Sequence, residues 1–121
     1  MYITLLKGKI HRATITESDI DYEGSLKIDP DIMDMVKIRP YEKILVANIN
    51  NGERFETYAI PGKRGSKVIG LNGATTHKGS IGDRVIVFAF CQVSEDEAAG
   101  HSPLVLVLDE NNEQIGDLRR L

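Results

Sequence analysis

The chain has very little cysteine and no long apolar run. Cys91 is the only cysteine among 121 residues, which excludes an intrachain disulfide and any site that needs two thiolates. Its apolar neighbours indicate a buried strand residue rather than a nucleophile. The longest apolar stretch, Val85 to Cys91, is far shorter than the roughly 20 residues of a membrane-spanning helix, and the N-terminus lacks a signal-peptide pattern. We therefore expect a cytoplasmic protein without a membrane partner.

Clustered charge and common catalytic motifs are also missing. The 15 Lys and Arg residues and 18 Asp and Glu residues give a formal charge of −3 without a long block of one sign, so nucleic acid is not an expected partner. The three histidines, His11, His77 and His101, have no local ligand spacing, and we predict no metal site. A nucleophile elbow, a phosphate loop and a dinucleotide-binding glycine motif are all absent.

What is present is a series of short β-branched segments separated by turn residues, which predicts a single mainly β domain, a small barrel or sandwich. We predict strands over 1–6 and 10–16 (or one strand through both), 25–29, 44–48, 53–60, 67–71, 84–93 and 104–108. Asn51-Gly52 predicts a hairpin with a type I′ turn. A polar stretch, Asp109 to Glu113, follows the last strand, and the tail is expected to fray.

Two short helices are predicted by their N-terminal signals. Asp29 is a suitable N-cap and Pro30 fits the first helical position, so a helix should begin there and stop before Pro40. Ser94–Glu97 has the spacing of a capping box, which predicts a second helix ending near Gly100.

The predicted strand over 53–60 carries the clearest candidate side chains. Alternation puts Arg54, Glu56 and Tyr58 on one face. Arg54 offers a rigid fork for a carboxylate, and Tyr58 offers a phenol that can donate a proton. The alternative is a solvent-facing strand with an ion pair to a neighbour.

Three further segments have an ordinary reading beside a functional one. Asn72–Thr75 is either a hairpin turn or a cradle of backbone N–H groups for a carboxylate. Lys9 and His11 share a strand face, and this face is either a pocket wall or an exposed sheet edge. Gly24-Ser25 is either a turn or a place where the chain cuts itself.

Taken together, four motifs resemble the pyruvoyl-dependent aspartate 1-decarboxylase family. They are Lys9–Arg12 (KIHR), Tyr22–Ser25 (YEGS), Asn51–Ile60 (NGERFETYAI) and Asn72–Ala74 (NGA), and their order and separations match from Met1 to about Val107. The resemblance implies a small double-psi β barrel, here with the two short helices, in a homotetramer with active sites between subunits. It also implies decarboxylation of L-aspartate to β-alanine and CO2 for pantothenate and coenzyme A biosynthesis.

In this family the precursor cleaves itself, and the resemblance puts the cut between Gly24 and Ser25. The chain would then become a β chain, 1–24, and an α chain, 25–121. The Ser25 hydroxyl would attack the Gly24 carbonyl to give an ester, β-elimination would free Gly24, and hydrolysis would leave a pyruvoyl group at residue 25. Thr57 resembles the family residue that hydrogen-bonds the developing oxyanion.

For the decarboxylation itself, the resemblance implies a Schiff base between the pyruvoyl ketone and the amine of L-aspartate, without a metal or pyridoxal phosphate. Tyr58 would return a proton to the α-carbon, and Arg54 would bind the side-chain carboxylate. The other expected pocket positions are Thr57, Gly73, Ala74, Thr75, Lys9, His11 and Asn72. Thr75 departs from the alanine usual in the family, which bears on substrate preference.

Two other functions stay open on the sequence alone. One is a non-catalytic β-barrel interaction module in which Gly24-Ser25 is only a turn. The other is the same chemistry on a different acidic amino acid, since Arg54 favours an acidic substrate. The sequence also leaves open whether maturation needs a helper protein.

Overall fold

A computed structural model describes all residues, 1–121, and is mainly β. The strands are β1 Tyr2–Thr14, β2 Glu17–Asp19, β3 Ser25–Ile28, β4 Lys43–Asn48, β5 Arg54–Pro61, β6 Ile69–Asn72, β7 Arg84–Ser94, β8 Leu104–Val107 and β9 Arg119–Arg120. The helices are α1 Pro30–Met35, a 3-10 helix Gly73–Lys78, and α2 Glu95–Ala98. None of these helices has the length and apolar character needed to cross a membrane.

The sheet curls so that one continuous piece of chain connects β1 and β2, which are far apart in its strand order. Its strand order is β2-β6-β3-β5-β4-β7-β1-β8-β9. Strands β1 and β2 lie towards opposite ends of this order, although only Ile15 and Thr16 separate them in sequence. The Thr16 N–H donates to the Ile69 carbonyl of β6 at 2.8 Å. This crossing closes the sheet, so the predicted small β barrel is confirmed.

The barrel interior holds one cluster of 19 buried hydrophobic side chains. Opposite walls contribute to it through Ile10 of β1, Leu26 of β3, Ile44 of β4 and Val87 of β7, each at most 1% exposed. Burial of one such side chain contributes roughly 1.5–3 kcal/mol relative to leaving it in water. The packed interior leaves the ends and outer face of the barrel for a functional site.

The hairpin at Asn51-Gly52 is confirmed, but its predicted turn type is wrong. Strands β4 and β5 are antiparallel, with Ala47 opposite Arg54. A type I′ turn needs positive φ at both central residues, and in this turn only Gly52 has it, at +76°. A longer loop forms instead because the Asn51 side chain accepts the Glu53 N–H at 2.9 Å, fixing an Asx turn.

Both predicted helices are confirmed by their caps, and a third helix was not predicted. The Asp29 carboxylate accepts the Asp31 N–H at 2.9 Å and caps α1. The Ser94–Glu97 capping box is complete in α2. The additional 3-10 helix begins at Gly73, where the chain leaves β6. The hairpin reading of Asn72–Thr75 is therefore wrong.

The predicted fraying of the tail is also wrong. Asn112 is only 2% exposed, and its side-chain amide bonds both the N–H and the carbonyl of Thr14, at 2.7 and 3.0 Å. It also donates to the Lys67 carbonyl at 2.9 Å. Beyond it, β9 pairs with β8. A buried amide therefore fastens the tail to the barrel, which a polar composition does not indicate.

Cys91 lies on β7 as predicted, but it is only half-buried. Val85, Val87 and Ala89 face the interior and are buried. By the same two-residue spacing Cys91 is on the interior face too, but β7 extends beyond the end of the core at this point. The prediction of full burial is therefore wrong because the strand is longer than the barrel it helps to form.

Candidate active site

The Ser25 side chain is completely buried at the first residue of β3. Its hydroxyl donates to the Glu23 carbonyl at 2.9 Å and accepts from the Asn72 side-chain amide at 3.1 Å. Asn72 is itself fully buried and lies opposite Ser25 in the β3–β6 pair. Two neighbours therefore fix the hydroxyl in the uncleaved chain.

Gly24, just before Ser25, lies against Gly73 at the start of the 3-10 helix. A Cβ atom on Gly73 would come within 2.8 Å of the Gly24 α-carbon, the Gly24 nitrogen and the Tyr22 carbonyl oxygen. Gly73 also has φ +62°, which disfavours other residues. On Gly24 itself a Cβ would meet nothing within 4 Å. The close approach therefore depends on glycine at position 73.

Thr57 and Tyr58 flank this segment through the parallel β3–β5 pair, in which Leu26 lies opposite Ala59. Continued one residue upstream, the register brings Ser25 level with Tyr58. One further residue brings the preceding glycine level with Thr57. The fold thus brings the predicted cut site and these two side chains to neighbouring positions on adjacent strands.

Tyr58 also lines an open surface pocket of about 580 Å³. The other lining residues are Tyr22, Glu23, Tyr41, Ile60 and Pro61. Tyr41 was not predicted as a site residue; it has φ +71°, an uncommon conformation for a bulky residue that is enriched at functional sites. Nothing in the sequence around Tyr41 signals this, because the conformation arises where the chain enters the β4–β5 hairpin.

Thr75 lies on the 3-10 helix and is buried next to Ser25. Its hydroxyl donates to the Asn72 carbonyl at 2.8 Å and lies 3.5 Å from the Ser25 carbonyl oxygen. Ala74, in contrast, is exposed. The first backbone N–H groups of a helix have no partner within it, so the cradle reading of this segment is compatible with the observed geometry.

Arg54 is exposed on β5 and forms no ion pair. Glu56, on the same strand face, is paired with Lys43 of β4 at 2.9 Å. The ordinary reading of this face, a solvent-exposed ion pair, therefore applies to Glu56. The Arg54 guanidinium remains available for an external carboxylate.

Lys9 and His11 lie on a different part of the barrel. Lys9 has Phe88 of β7 on one side and Val105 of β8 on the other, so β1 is an interior strand and the sheet-edge reading is wrong. Strands β7 and β4 separate β1 from β5. At about 4.8 Å per strand, the path along the curled sheet from Lys9 to β5 is roughly 14 Å. Within one chain β1 pairs with neither β3, which carries Ser25, nor β5.

His11 lies in a positively charged, partly buried environment. Burial lowers its pKa below the ordinary value of 6.5, and the nearby positive charges of Lys9, Arg12, Arg119 and Arg84 lower the pKa further. Its Nδ1 atom is buried without a hydrogen-bond partner. Its surroundings therefore favour the neutral imidazole over the imidazolium, and one polar atom of the ring is unused.

Known proteins were compared with the whole chain. The sequence profile of the family described as aspartate decarboxylase matches residues 1–115. The chain belongs to this family. The aspartate 1-decarboxylase of Neisseria meningitidis serogroup C is 53% identical over 112 residues, 93% of this chain and 88% of the relative. Those of Maricaulis maris and Leptospira biflexa are 49% and 52% identical, over 95% and 93% of this chain and 95% and 96% of the relatives.

Membership of the aspartate decarboxylase family makes the protein a decarboxylase, a lyase that breaks a carbon–carbon bond. The alternative of a non-catalytic interaction module is thereby overturned. Among the candidate residues of this decarboxylase, Ser25, Gly24, Thr57, Tyr58, Asn72, Gly73 and Thr75 converge in one chain. Arg54 is on the same strand as Tyr58, whereas Lys9 and His11 are on β1, which pairs with neither β3 nor β5.

Proposed function

We propose that the protein decarboxylates L-aspartate at its α-carboxylate, giving β-alanine and CO2, with a pyruvoyl group made from Ser25 by self-cleavage after Gly24. The observation that carries the proposal is the buried Ser25 hydroxyl, fixed between the Glu23 carbonyl and the Asn72 amide directly after a glycine. A serine in a simple surface turn would not need these buried partners.

The surroundings of Ser25 fit a prosthetic group made in place. The Asn72 Oδ1 atom is buried without a partner while the same amide donates to Ser25, so a polar atom is left over at this position. No group of three or more His, Cys, Asp or Glu residues is arranged to bind a metal ion. A carbonyl derived from the chain itself needs neither extra space nor a metal ligand.

Self-cleavage would begin with attack of the Ser25 Oγ on the Gly24 carbonyl carbon. Its proton has an acceptor in the Glu23 carbonyl, and the Asn72 amide orients the oxygen. The amide becomes an ester as the Gly24 carbonyl carbon leaves the Ser25 nitrogen, and the nitrogen gains a proton. Thr57, level with Gly24, would donate to the oxyanion formed during this transfer.

Once formed, the pyruvoyl group would supply a ketone that condenses with the substrate amine and accepts the electron pair left by CO2. Arg54 would bind the side-chain carboxylate through two parallel hydrogen bonds. Tyr58 would donate the proton that replaces the departed carboxylate. Gly73, Ala74 and Thr75 would present backbone N–H groups to the other carboxylate.

Lys9 and His11 would complete the site from a neighbouring subunit of a homotetramer. Support comes from the distance between β1 and β5 in one chain, together with the half-buried, positively charged setting of His11. A cationic patch suits a substrate with two carboxylates. Asn72 would act within its own chain, on Ser25.

In the cell we propose that the enzyme works in the cytoplasm and supplies β-alanine for pantothenate and coenzyme A biosynthesis. The functional form would consist of chains 1–24 and 25–121. Whether cleavage is spontaneous or needs a helper protein is decided by comparing purified chain with chain in a cell extract.

Mass spectrometry of the purified protein tests the proposal directly. We expect fragments of 24 and 97 residues (121 − 24 = 97), the larger beginning with a pyruvoyl group. Ser25→Ala should stay whole and inactive because no hydroxyl remains. Ser66→Ala is the matched control, since Gly65-Ser66 is an exposed Gly-Ser pair. A wild-type chain that never cleaves, in extract or alone, would contradict the proposal.

Substrate identity needs a separate assay of CO2 release. Aspartate should react faster than glutamate, since one extra methylene displaces the carboxylate from Arg54, a cost of about 1–3 kcal/mol. A cleaved protein that prefers glutamate would replace the proposed substrate with another acidic amino acid and leave the chemistry intact.

A further inference from the structure

The Thr75 hydroxyl faces the carbonyl oxygen of Ser25. Its Oγ1 atom lies 3.5 Å from that oxygen and 2.8 Å from the Asn72 carbonyl oxygen, and Thr75 is only 8% exposed. At these distances the hydroxyl donates to Asn72, because 3.5 Å is too long for a strong hydrogen bond. A hydroxyl carries one proton and can rotate it towards a second acceptor whose negative charge grows.

The Ser25 carbonyl oxygen gains negative charge in the elimination step of the proposed self-cleavage. In the ester, the Cα–H bond of Ser25 breaks, its proton passes to water, and the electron pair is shared between Cα and the carbonyl oxygen as an enolate. That pair then forms the Cα=Cβ bond while the Cβ–Oγ bond breaks, and Oγ leaves with its pair as the Gly24 carboxylate. Water then replaces the nitrogen, which departs as ammonia, and a ketone remains.

We propose that the Thr75 hydroxyl donates to this enolate oxygen and accelerates the elimination. The inference rests on the proposed function and adds a second oxyanion donor to it. A hydrogen bond to a charged oxygen is about twice as strong as one to a neutral carbonyl, and a buried site strengthens it further. The contact is weak in the resting chain and strong at the transition state, which is the condition for lowering a barrier.

Thr57 aligns with a different carbonyl. It lies on β5, and the β3–β5 register extended two residues upstream of Leu26 brings it level with Gly24, the residue whose carbonyl is attacked first. Thr75 approaches from the 3-10 helix and contacts the next carbonyl along the chain. The two threonines thus serve the two successive oxyanions, the first at Gly24 and the second at Ser25.

The chain contains a closely matched control for Thr75. The Thr76 hydroxyl donates to the Gly73 carbonyl at 2.8 Å, three residues back in the same 3-10 helix. The Thr75 hydroxyl makes the same type of bond to Asn72 at the same distance. No hydrogen bond joins Thr76 to Ser25. Valine at either position therefore removes one equivalent helix bond, but only Thr75→Val removes the donor facing Ser25.

Freshly translated wild-type, Thr75→Val and Thr76→Val chains are followed by intact mass spectrometry, with and without hydroxylamine, which cleaves esters. We expect Thr75→Val to accumulate the ester and to eliminate roughly 10- to 100-fold more slowly. Hydroxylamine would then release a fragment 25–121 that begins with intact serine, heavier than the pyruvoyl fragment by one ammonia. Thr76→Val should process like the wild type, and Thr75→Ser should restore elimination.

Three results would overturn the inference. Thr75→Val and Thr76→Val could process at equal rates, or Thr75→Val could accumulate the uncleaved amide, which would move its role to the first step. If Thr75→Val does not fold, Thr75→Ser is compared with Thr75→Ala instead. Equal elimination rates in these two variants are the third result that would overturn the inference. A wild-type chain that does not cleave would instead contradict the proposed function, so the two failures are distinguishable.

Discussion

Gly73 and Gly24 lie backbone to backbone across the candidate site. A Cβ atom on Gly73 would be 2.8 Å from both the α-carbon and the nitrogen of Gly24, closer than real Cβ contacts come. The partner atoms are backbone and cannot swing aside as a flexible side chain can. The position of the bond before Ser25 therefore depends on the absence of a side chain 49 residues later (73 − 24 = 49).

Gly73→Ala is expected to impair self-cleavage more than it impairs folding. The methyl group would push the segment from Tyr22 to Gly24 away from the 3-10 helix, and the positive φ would add about 1 kcal/mol of strain. Gly52→Ala is the control, because Gly52 also has positive φ but a Cβ there meets nothing within 4 Å. We expect thermal stability to fall in both variants, further in Gly73→Ala because of the added steric contact, and cleavage to slow at least tenfold only in Gly73→Ala. Equal cleavage rates would contradict the steric argument.

Asn72→Ala is expected to slow cleavage by removing the amide that orients the Ser25 hydroxyl. One neutral hydrogen bond contributes about 1 kcal/mol, which corresponds to roughly a fivefold lower rate. Asn112→Ala is the control, since Asn112 is an equally buried amide that fastens the tail far from the site. It should lower the melting temperature but leave cleavage unchanged where both variants are folded. If Asn112→Ala slows self-cleavage as much as Asn72→Ala does, lost stability alone explains the slower cleavage of Asn72→Ala.

Local signals in the sequence predicted most of the elements and part of the site. Asp29, Ser94 and the alternation of Arg54 with Tyr58 act within a few residues, so their consequences are readable from spacing. The tail differs because Asn112 finds its partners 98 residues away in sequence, at Thr14. No pattern around Asn112 carries that information.

The same limit applied to the candidate site. The contact between Gly73 and Gly24 and the strained Tyr41 backbone follow from how β3, β5 and β6 pair, not from their own residue types. The resemblance identified Asn72–Thr75 as a pocket segment, but only the fold reveals the Thr75 hydroxyl beside Ser25. The sequence predicted candidate residues, and tertiary pairing determines what these residues touch.

Arg54→Lys is expected to weaken aspartate turnover without affecting self-cleavage. Lysine keeps the charge but loses the planar fork that binds a carboxylate through two hydrogen bonds, so kcat/KM should fall roughly 10- to 100-fold. Arg64→Lys is the control, since Arg64 is exposed and already paired with Asp31 and Asp34. Steady-state CO2 release and intact mass measure both properties. A normal kcat/KM in cleaved Arg54→Lys would remove Arg54 from the substrate site.

His11 should make the protein less stable in mild acid. Its pKa is lowered in the folded chain by burial and by the charges of Lys9, Arg12, Arg119 and Arg84, whereas the unfolded chain titrates near 6.5. Between the two pKa values the unfolded state binds more protons, so stability falls as pH drops below 6.5 towards the folded pKa.

The measurement is the melting temperature from about pH 7.5 down to about pH 5. In His11→Gln, the part of the fall in melting temperature that begins near the ordinary histidine pKa should be absent. His77→Gln changes an exposed histidine and should follow the wild-type curve. Parallel curves for wild type and His11→Gln would contradict the assignment of the decline to His11.

Complementation tests whether Lys9 and Arg54 act at one site from different chains. Lys9→Ala and Arg54→Ala should each be poorly active alone, since each removes a cation from every site. If two subunits build each site, random co-assembly leaves both residues intact in about a quarter of the sites. Co-expression should therefore recover about a quarter of wild-type CO2 release.

The control for this recovery pairs Lys9→Ala with the double variant Lys9→Ala/Arg54→Ala. No chain in that mixture carries Lys9, so activity should stay at the level of the single variants. If the first mixture also stays at that level although both chains cleave and co-assemble, Lys9 and Arg54 act within one chain. The separation of β1 from β5 argues against that outcome, because two intervening strands keep their side chains apart on the outer face of the barrel.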